Sequence, residues 1–199
     1  MGRRRNPDRQ RQILDTARRL FGSRGYHATQ IADIAESLQI GHGTVYRYFS
    51  NKRDIYEQVF DEVVAQYAAA LTHEAPGQAN SLEEYEAQLR RISATLTALF
   101  GEGPEGLRLT LQAQTIDDAM RERFQCAMSA FSAVSAMRLQ NGIAKGFLRA
   151  DLDAIATADL LLSATFEAVR KTAEASDPAA AGIRYLEASI GLFIRGVRA

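Results

Sequence analysis

Between Thr29 and Lys52 the sequence sets two short apolar-periodic segments on either side of a glycine, and few architectures accept that arrangement. In the first segment, Ile31, Ile34, Ala35 and Leu38 recur at the spacing of one helix face. In the second, His42 to Phe49, the side chains of Val45 and Phe49 lie about 40° apart in helical projection. Both must therefore pack inward, on Ile34, Leu38 and the helix before them. That earlier helix is marked by Ile13, Leu14, Ala17, Leu20 and Phe21, with Arg and Gln between. Two short helices joined by a glycine-containing turn are the signature of a helix-turn-helix.

The three helices are expected at about residues 9–24, 30–38 and 42–49. Gly25 breaks the first, and Thr29 opens the second, where a hydroxyl can accept from an unpaired backbone N–H and Asp33 suits the helix dipole. Asn51, with Asp54 three residues on, resembles a capping arrangement for a long helix running past Tyr67 toward Leu71. Pro76-Gly77 punctuates the chain after it. These signals divide the chain into a head, residues 1–52, and a body, residues 53–199.

On the 42–49 helix, Gly43, Thr44 and Arg47 point away from the core, and Tyr46 and Tyr48 flank it. Glycine lets a backbone approach closely, arginine can pair with guanine, and a threonine methyl can touch a thymine methyl, so this face suits a DNA major groove. The phenols and Lys52 suit phosphates, although either tyrosine could instead complete the small core. Charge agrees. Residues 1–60 hold eleven Arg and Lys against six Asp and Glu, a balance of +5, and the remainder carries −5, so the chain's net charge is zero. A basic head on an acidic body directs one end toward a polyanion. Arg3, Arg4 and Arg5 could follow the phosphate backbone or form a plain solvated tail.

Other functions find little support. His27, His42 and His73 are dispersed, without metal-ligand spacing. There is no phosphate-binding glycine loop and no nucleophile elbow, and Gly101-Glu-Gly-Pro lacks a strand–helix context. No catalytic residue, metal or cofactor is expected. The single cysteine, Cys126, precludes an intrachain disulfide and, among apolar neighbours, is expected to be buried. No apolar run reaches the length of a membrane span, and no apolar stretch follows the basic start, so a cytoplasmic location is expected. The alternative function is a helical ligand- or partner-binding module without specific DNA contact.

The body reads as helices throughout. They are expected from Ser81 to Phe100, Leu107 to Thr115, Asp117 to Ala144, Ala154 to Ala175 and Gly182 to Val197. A turn at Gly146 leads to a helix start near Asp153. The last two helices alternate small and large apolar residues, a pattern that permits close helix–helix contact.

The segments Ile31 to Leu38, Gly43-Thr-Val-Tyr-Arg-Tyr-Phe49 and Asn51-Lys52-Arg53 closely resemble the TetR family of bacterial transcriptional regulators. Ala17-Arg-Arg-Leu-Phe21, Gly25-Tyr26 and Thr29 resemble the family's first helix and the turn after it, so the likeness covers about residues 9–60. The resemblance implies an all-α homodimer, with a three-helix DNA-binding head and a ligand-sensing body of about six helices. It implies a repressor, released from a palindromic operator by a small effector. It places His42, Thr44, Tyr46 and Arg47 near bases, Thr29, Tyr48 and Lys52 at phosphates, and Gln30 within reach of a base. His42 stands where the family more usually has lysine, and Gly41 where serine is common.

The resemblance also implies an effector cavity among the helices of residues 81–144. Leu96, Phe100, Leu109, Gln112, Met120, Phe124, Met128 and Phe166 are the candidates to line it, although each could instead be plain core. Few charges fall on these faces, which favours an apolar or aromatic effector. In a TetR-like dimer the last two helices form a four-helix interface, with Leu160, Ala164, Ala168, Ala188, Ser189, Leu192 and Phe193 as its candidates. A dimer is also expected on physical grounds, because one short reading helix spans only a few base pairs. Twofold symmetry then imposes a palindrome.

Overall fold

The computed structural model describes residues 6–101 and 105–199. Among them the chain is all-α, with helices α1 (Pro7–Arg24), α2 (Ile31–Ser37), α3 (His42–Tyr48), α4 (Lys52–Thr72), α5 (Leu82–Gly101), α6 (Glu105–Ile116), α7 (Asp118–Ala144), α8 (Ala154–Glu174) and α9 (Pro178–Val197). Arg3, Arg4 and Arg5 lie outside the described residues.

Local chemistry accounts for most of the helix starts. Asn6 caps α1, its side chain accepting from the Asp8 N–H at 2.9 Å, and Pro7 follows where a missing N–H costs nothing. The Asn51 side chain accepts from the Asp54 N–H (2.9 Å), and the Asp54 carboxylate accepts in return from the Ser50 N–H (2.9 Å). Asp117 accepts from the Met120 N–H, and Asp153 from the N–H groups of Ile155 and Ala156. Two ends differ from expectation. Gln30, not Thr29, is the N-cap of α2, its N–H donating to Asp33. And α9 begins at Pro178, because Asp177 accepts from the Ala180 N–H and the proline sits in the first turn, where helices tolerate it.

The chain forms two compact units. One comprises Met1–Ala65 with Glu105–Arg121, the other Gln66–Pro104 with Glu122–Ala199. The first therefore extends beyond the 1–52 segment expected from sequence. It recruits the start of α4 and the whole of α6, which sequence periodicity alone assigned to the body.

The core of this head unit joins Ile13, Ala17 and Phe21 of α1, Ile34 and Ala35 of α2, Val45 of α3, and Ile55, Tyr56 and Val59 of α4, with Phe49 between α3 and α4. Helix α6 packs along α1. The approach is close enough that a Cβ on Gly22 would fall 2.5 Å from the Cα of Glu105, and one on Gly106 would meet the Arg18 guanidinium at 2.7 Å. The Tyr56 hydroxyl, buried in this unit, donates to the Leu109 carbonyl at 2.6 Å.

The body unit builds its core from Tyr85 of α5, Ala136 and Leu139 of α7, Ala158 of α8, and Ile190, Ile194 and Val197 of α9, closed by Ala79 and Leu148. Helix α9 packs against both α5 and α8. After α7 the chain turns at Gly146, whose φ of 77° is left-handed and suits glycine. Leu148 and Arg149 then run beside the end of α9, the Arg149 N–H donating to the Val197 carbonyl at 3.0 Å. Cys126, expected to be buried, is exposed. Its apolar sequence neighbours do not put it on the inner face of α7, since α7 turns about 100° per residue.

Gly22→Ala is expected to destabilise the protein by about 1–3 kcal/mol, because its new methyl group meets backbone that cannot swing aside. Urea unfolding would show a lower midpoint at unchanged slope; a midpoint equal to that of the native protein would mean that α1 and α6 separate at little cost.

Candidate nucleic-acid interface

The turn between α1 and α2 organises the head. Gly25 ends α1 with φ of 92°, and its N–H donates to the Phe21 carbonyl. The Thr29 hydroxyl turns back into the turn, donating to the Gly25 carbonyl (2.8 Å) and lying 3.3 Å from that of Leu20. Lys52, at the start of α4, reaches across with Nζ to the carbonyls of Tyr26 (2.8 Å) and Thr29 (2.9 Å), and rests over the Tyr26 ring at 4.4 Å. Burial draws the Lys52 pKa below its ordinary value, and Asp33 partly opposes that. From α6, Gln112 completes the arrangement. Its carboxamide oxygen accepts from the Tyr26 N–H (3.1 Å) and its nitrogen donates to the Phe21 carbonyl (3.2 Å). Tyr26 packs edge-on against Tyr56, and burial raises its pKa.

This framework presents α3. Val45 is fully buried and Phe49 nearly so, as the projection requires. His42, Gly43, Tyr46 and Arg47 are exposed, and Thr44 is half-buried with its N–H donating to the Gly41 carbonyl. Nothing stands within 4 Å of a Cβ placed on Gly43, so an approaching surface meets bare backbone there. Among the described residues, the side chains of His42, Tyr46 and Arg47 make no hydrogen bond or ion pair, which leaves their donors and acceptors for a partner. Gln30, at the α2 end, is also exposed.

The two tyrosines that flank this face in projection have different surroundings. Tyr46 is 55% exposed, whereas Tyr48 is 8% exposed and its hydroxyl accepts from the Asn6 N–H at 3.1 Å. The start of α1 covers one flank of α3 and leaves the other bare. Thr29 is wholly buried, so it has no exposed hydroxyl for the expected phosphate contact. Lys52 spends two of its N–H groups on the turn, and one remains. The outward set is thus His42, Gly43, Thr44, Tyr46, Arg47 and Gln30, with Tyr48 and Lys52 holding the frame.

Residues 13–59 match the profile of the bacterial regulatory proteins of the tetR family. An HTH-type transcriptional repressor of Mycobacterium tuberculosis (strain H37Rv) is 34% identical over 134 residues, 65% of this chain and 69% of that protein. The chain belongs to the TetR family. The fatty acid metabolism regulator protein of Bacillus subtilis is 25% identical to this TetR-family chain over 142 residues, 71% of it and 72% of that regulator. The fold agrees over nearly the whole length. A putative transcriptional regulator from Saccharomonospora viridis, solved with choline, superposes with a TM-score of 0.79 at 21% identity, covering 98% of this chain and 100% of its own. FadR of Bacillus subtilis, solved with stearoyl-CoA, gives 0.73 at 21% identity, covering 90% and 97%. Like its TetR-family relatives, the protein is a DNA-binding transcriptional regulator and not an enzyme. Among the described residues no group of His, Cys, Asp or Glu could hold a metal ion, and no helix is long and apolar enough to cross a membrane.

The eight candidates for an effector cavity separate. Leu109, Gln112 and Met120 belong to the head unit, where the Leu109 carbonyl binds Tyr56 and Gln112 holds the α1–α2 turn. In the body, Phe124 and Phe166 stack edge-on at 5.4 Å. Met128 is half-buried, and the Phe100 side chain lies outside the described residues. A cavity of about 80 Å³ does exist in the body, between α5, α7, α8 and α9, and of the eight only Leu96 lines it. Of the expected interface residues, Leu160, Ala164, Ala188 and Leu192 are exposed and Ser189 is half-buried, while Ala168 is buried and Phe193 packs on the core and lines that cavity. Sequence reasoning missed Asn6, Gln112 as a cap, and Arg138, an arginine wholly inside α7's inner face. Their only sequence signal is helical phase: Arg138 falls seven residues after buried Phe131.

Lys52→Met removes the ammonium from two carbonyls, and a loss of about 1–3 kcal/mol is expected. Thermal unfolding of the protein without DNA checks this. An unchanged melting temperature would return Lys52 to the set of residues free to serve phosphate alone.

Proposed function

We propose that the protein is a cytoplasmic homodimeric repressor that binds a palindromic operator and is released by a small apolar or aromatic effector. The observation that carries the DNA reading is the outward face of α3, where Arg47, Tyr46 and His42 stand exposed and unengaged beside the bare backbone of Gly43. Arg47 is the base-reading residue, with Thr44 and Tyr46 beside it and Gln30 at the start of α2. The remaining N–H of Lys52 and the hydroxyl proton of Tyr48 serve phosphates at the rim. Neutralising phosphates releases counterions, so affinity falls as salt rises.

Dimerisation is supported by the body's apolar surface. Leu160 is 72% exposed on α8 and Leu192 74% exposed on α9, each with an exposed alanine one turn away, Ala164 and Ala188. Large apolar side chains left in water beside small ones favour a second copy, which would bury them in close helix–helix contact. Two heads on one face of the DNA would then read half-sites about 34–36 Å apart. The effector reading is supported by the 80 Å³ cavity lined by Ile92, Leu96, Leu161 and Phe193, among others. It is also supported by two structural neighbours that were solved with stearoyl-CoA and with choline.

Arg47→Ala should leave stability nearly unchanged and relax base preference by about 1–3 kcal/mol at one position of each half-site. Mobility shift across operator variants and a salt series measures this, and a uniform loss on every sequence would argue against base reading. Leu160→Glu combined with Leu192→Glu should give a monomer by sedimentation equilibrium and abolish operator binding. A double variant that stays dimeric would place the interface elsewhere.

A further inference from the structure

Arg138 is 2% exposed, at the heart of the body unit. Its Nη2 donates to the carbonyls of Leu71 and Glu74, the latter at 2.8 Å, and Nη1 lies 3.4 Å from the Val134 carbonyl. These are neutral acceptors. Glu74, the carboxylate nearest in sequence to those partners, is itself held by Arg91 through bonds of 2.7 and 2.9 Å. Among the described residues no carboxylate pairs with Arg138, and its Nε has no hydrogen-bond partner. A buried guanidinium whose hydrogen bonds all go to carbonyls, with Tyr85 and the Arg91-held Glu74 acting on it only through space, keeps part of its desolvation cost, and an anion would offset it.

Arg138 lines the 80 Å³ cavity between α5, α7, α8 and α9. Of the other polar groups on that wall, the hydroxyls of Ser135, Thr165 and Ser189 each donate to the carbonyl four residues earlier, at 3.1, 2.9 and 2.9 Å, and those of Tyr85 and Ser93 are neutral, burial raising the Tyr85 pKa. The rest of the wall is chiefly aliphatic, with Ile92, Leu96, Leu161 and Phe193 among its members. One guanidinium on an otherwise uncharged and chiefly apolar wall selects a molecule with one anionic end and a hydrocarbon remainder. The chamber holds about five to eight water-sized groups, the room of a short aliphatic chain.

We propose that this cavity binds an aliphatic monocarboxylate, with the carboxylate on Arg138 and the chain along Leu96, Leu161 and Phe193. The inference rests on the effector reading above and names the ligand's chemistry. It also assigns Arg138 a second role. The guanidinium that would receive the carboxylate already holds the carbonyls at and just beyond the end of α4, so ligand binding acts on that helix end through one side chain.

The test uses one six-carbon chain with three heads, hexanoate, hexan-1-ol and hexylamine, titrated into the full-length protein by calorimetry. The same ligands are added to the operator complex in a mobility shift. Hexanoate is expected to bind at least about tenfold more tightly than hexanol, the worth of a charge-assisted hydrogen bond, and hexylamine not to bind. Arg138→Gln should remove the preference for hexanoate over hexanol, and Ser135→Leu, which fills the chamber, should weaken both. The comparison of heads on the native protein needs no variant to fold. Equal affinity for hexanoate and hexanol overturns the assignment of Arg138 while leaving an effector cavity. Unaltered hexanoate binding in Ser135→Leu places the acid elsewhere and overturns the proposal, and binding of none of the three, with no DNA release, removes both readings of this cavity.

Discussion

A turn of a few residues between α1 and α2 carries more obligations than any other stretch of the head. Its backbone doubles back at Gly25 and leaves carbonyls and N–H groups that no helix can satisfy. Three parts of the head answer them. Thr29 closes the turn on itself, Lys52 brings α4 to the carbonyls of Tyr26 and Thr29, and Gln112 brings α6 to Phe21 and Tyr26. Because these groups lie inside the unit, leaving any one unpaired costs more than the bond itself is worth on balance. The orientation of α2, and of α3 after it, follows from a turn that is tied on every side.

That arrangement separates polar residues that build the interface from those that meet the partner. Thr29, Lys52 and Tyr48 resemble DNA contacts when they are read as residue types, since each offers a donor that suits phosphate. In the folded chain the Thr29 hydroxyl is turned to Gly25, two of the three Lys52 N–H groups go to Tyr26 and Thr29, and the Tyr48 oxygen accepts from Asn6. His42, Tyr46 and Arg47 have no such obligations. The side chains that the fold does not use are the ones left open to a partner.

In the body the electrostatic arrangement is reversed. The head exposes its unengaged arginine, whereas the body buries one and supplies only carbonyl oxygens. Burial lowers the Arg138 pKa, while Tyr85 and Glu74 act in the opposite sense. A cation so placed holds the end of α4 together, and its Nε has no hydrogen-bond partner beside an apolar chamber. The exposed leucines of α8 and α9 form a separate feature, on the solvent side of the same helices.

The sequence by itself determined the all-α class, the three helices of the head and the inward turn of Val45 and Phe49, because helical phase and capping are local properties. Asn51 with Asp54 and the acids at positions 117 and 153 were legible for the same reason: a cap acts on N–H groups two to four residues away. Only the tertiary structure decided that α6 belongs with the head, since nothing in its own periodicity says that Gly22 and Gly106 let it lie against α1. The fates of Tyr46 and Tyr48 were decided the same way. They are equivalent in projection, and the start of α1 covers one of them. Leu109 and Gln112 read as cavity lining and Arg138 went unread, because burial and hydrogen-bond partners dozens of residues distant leave no trace in local spacing.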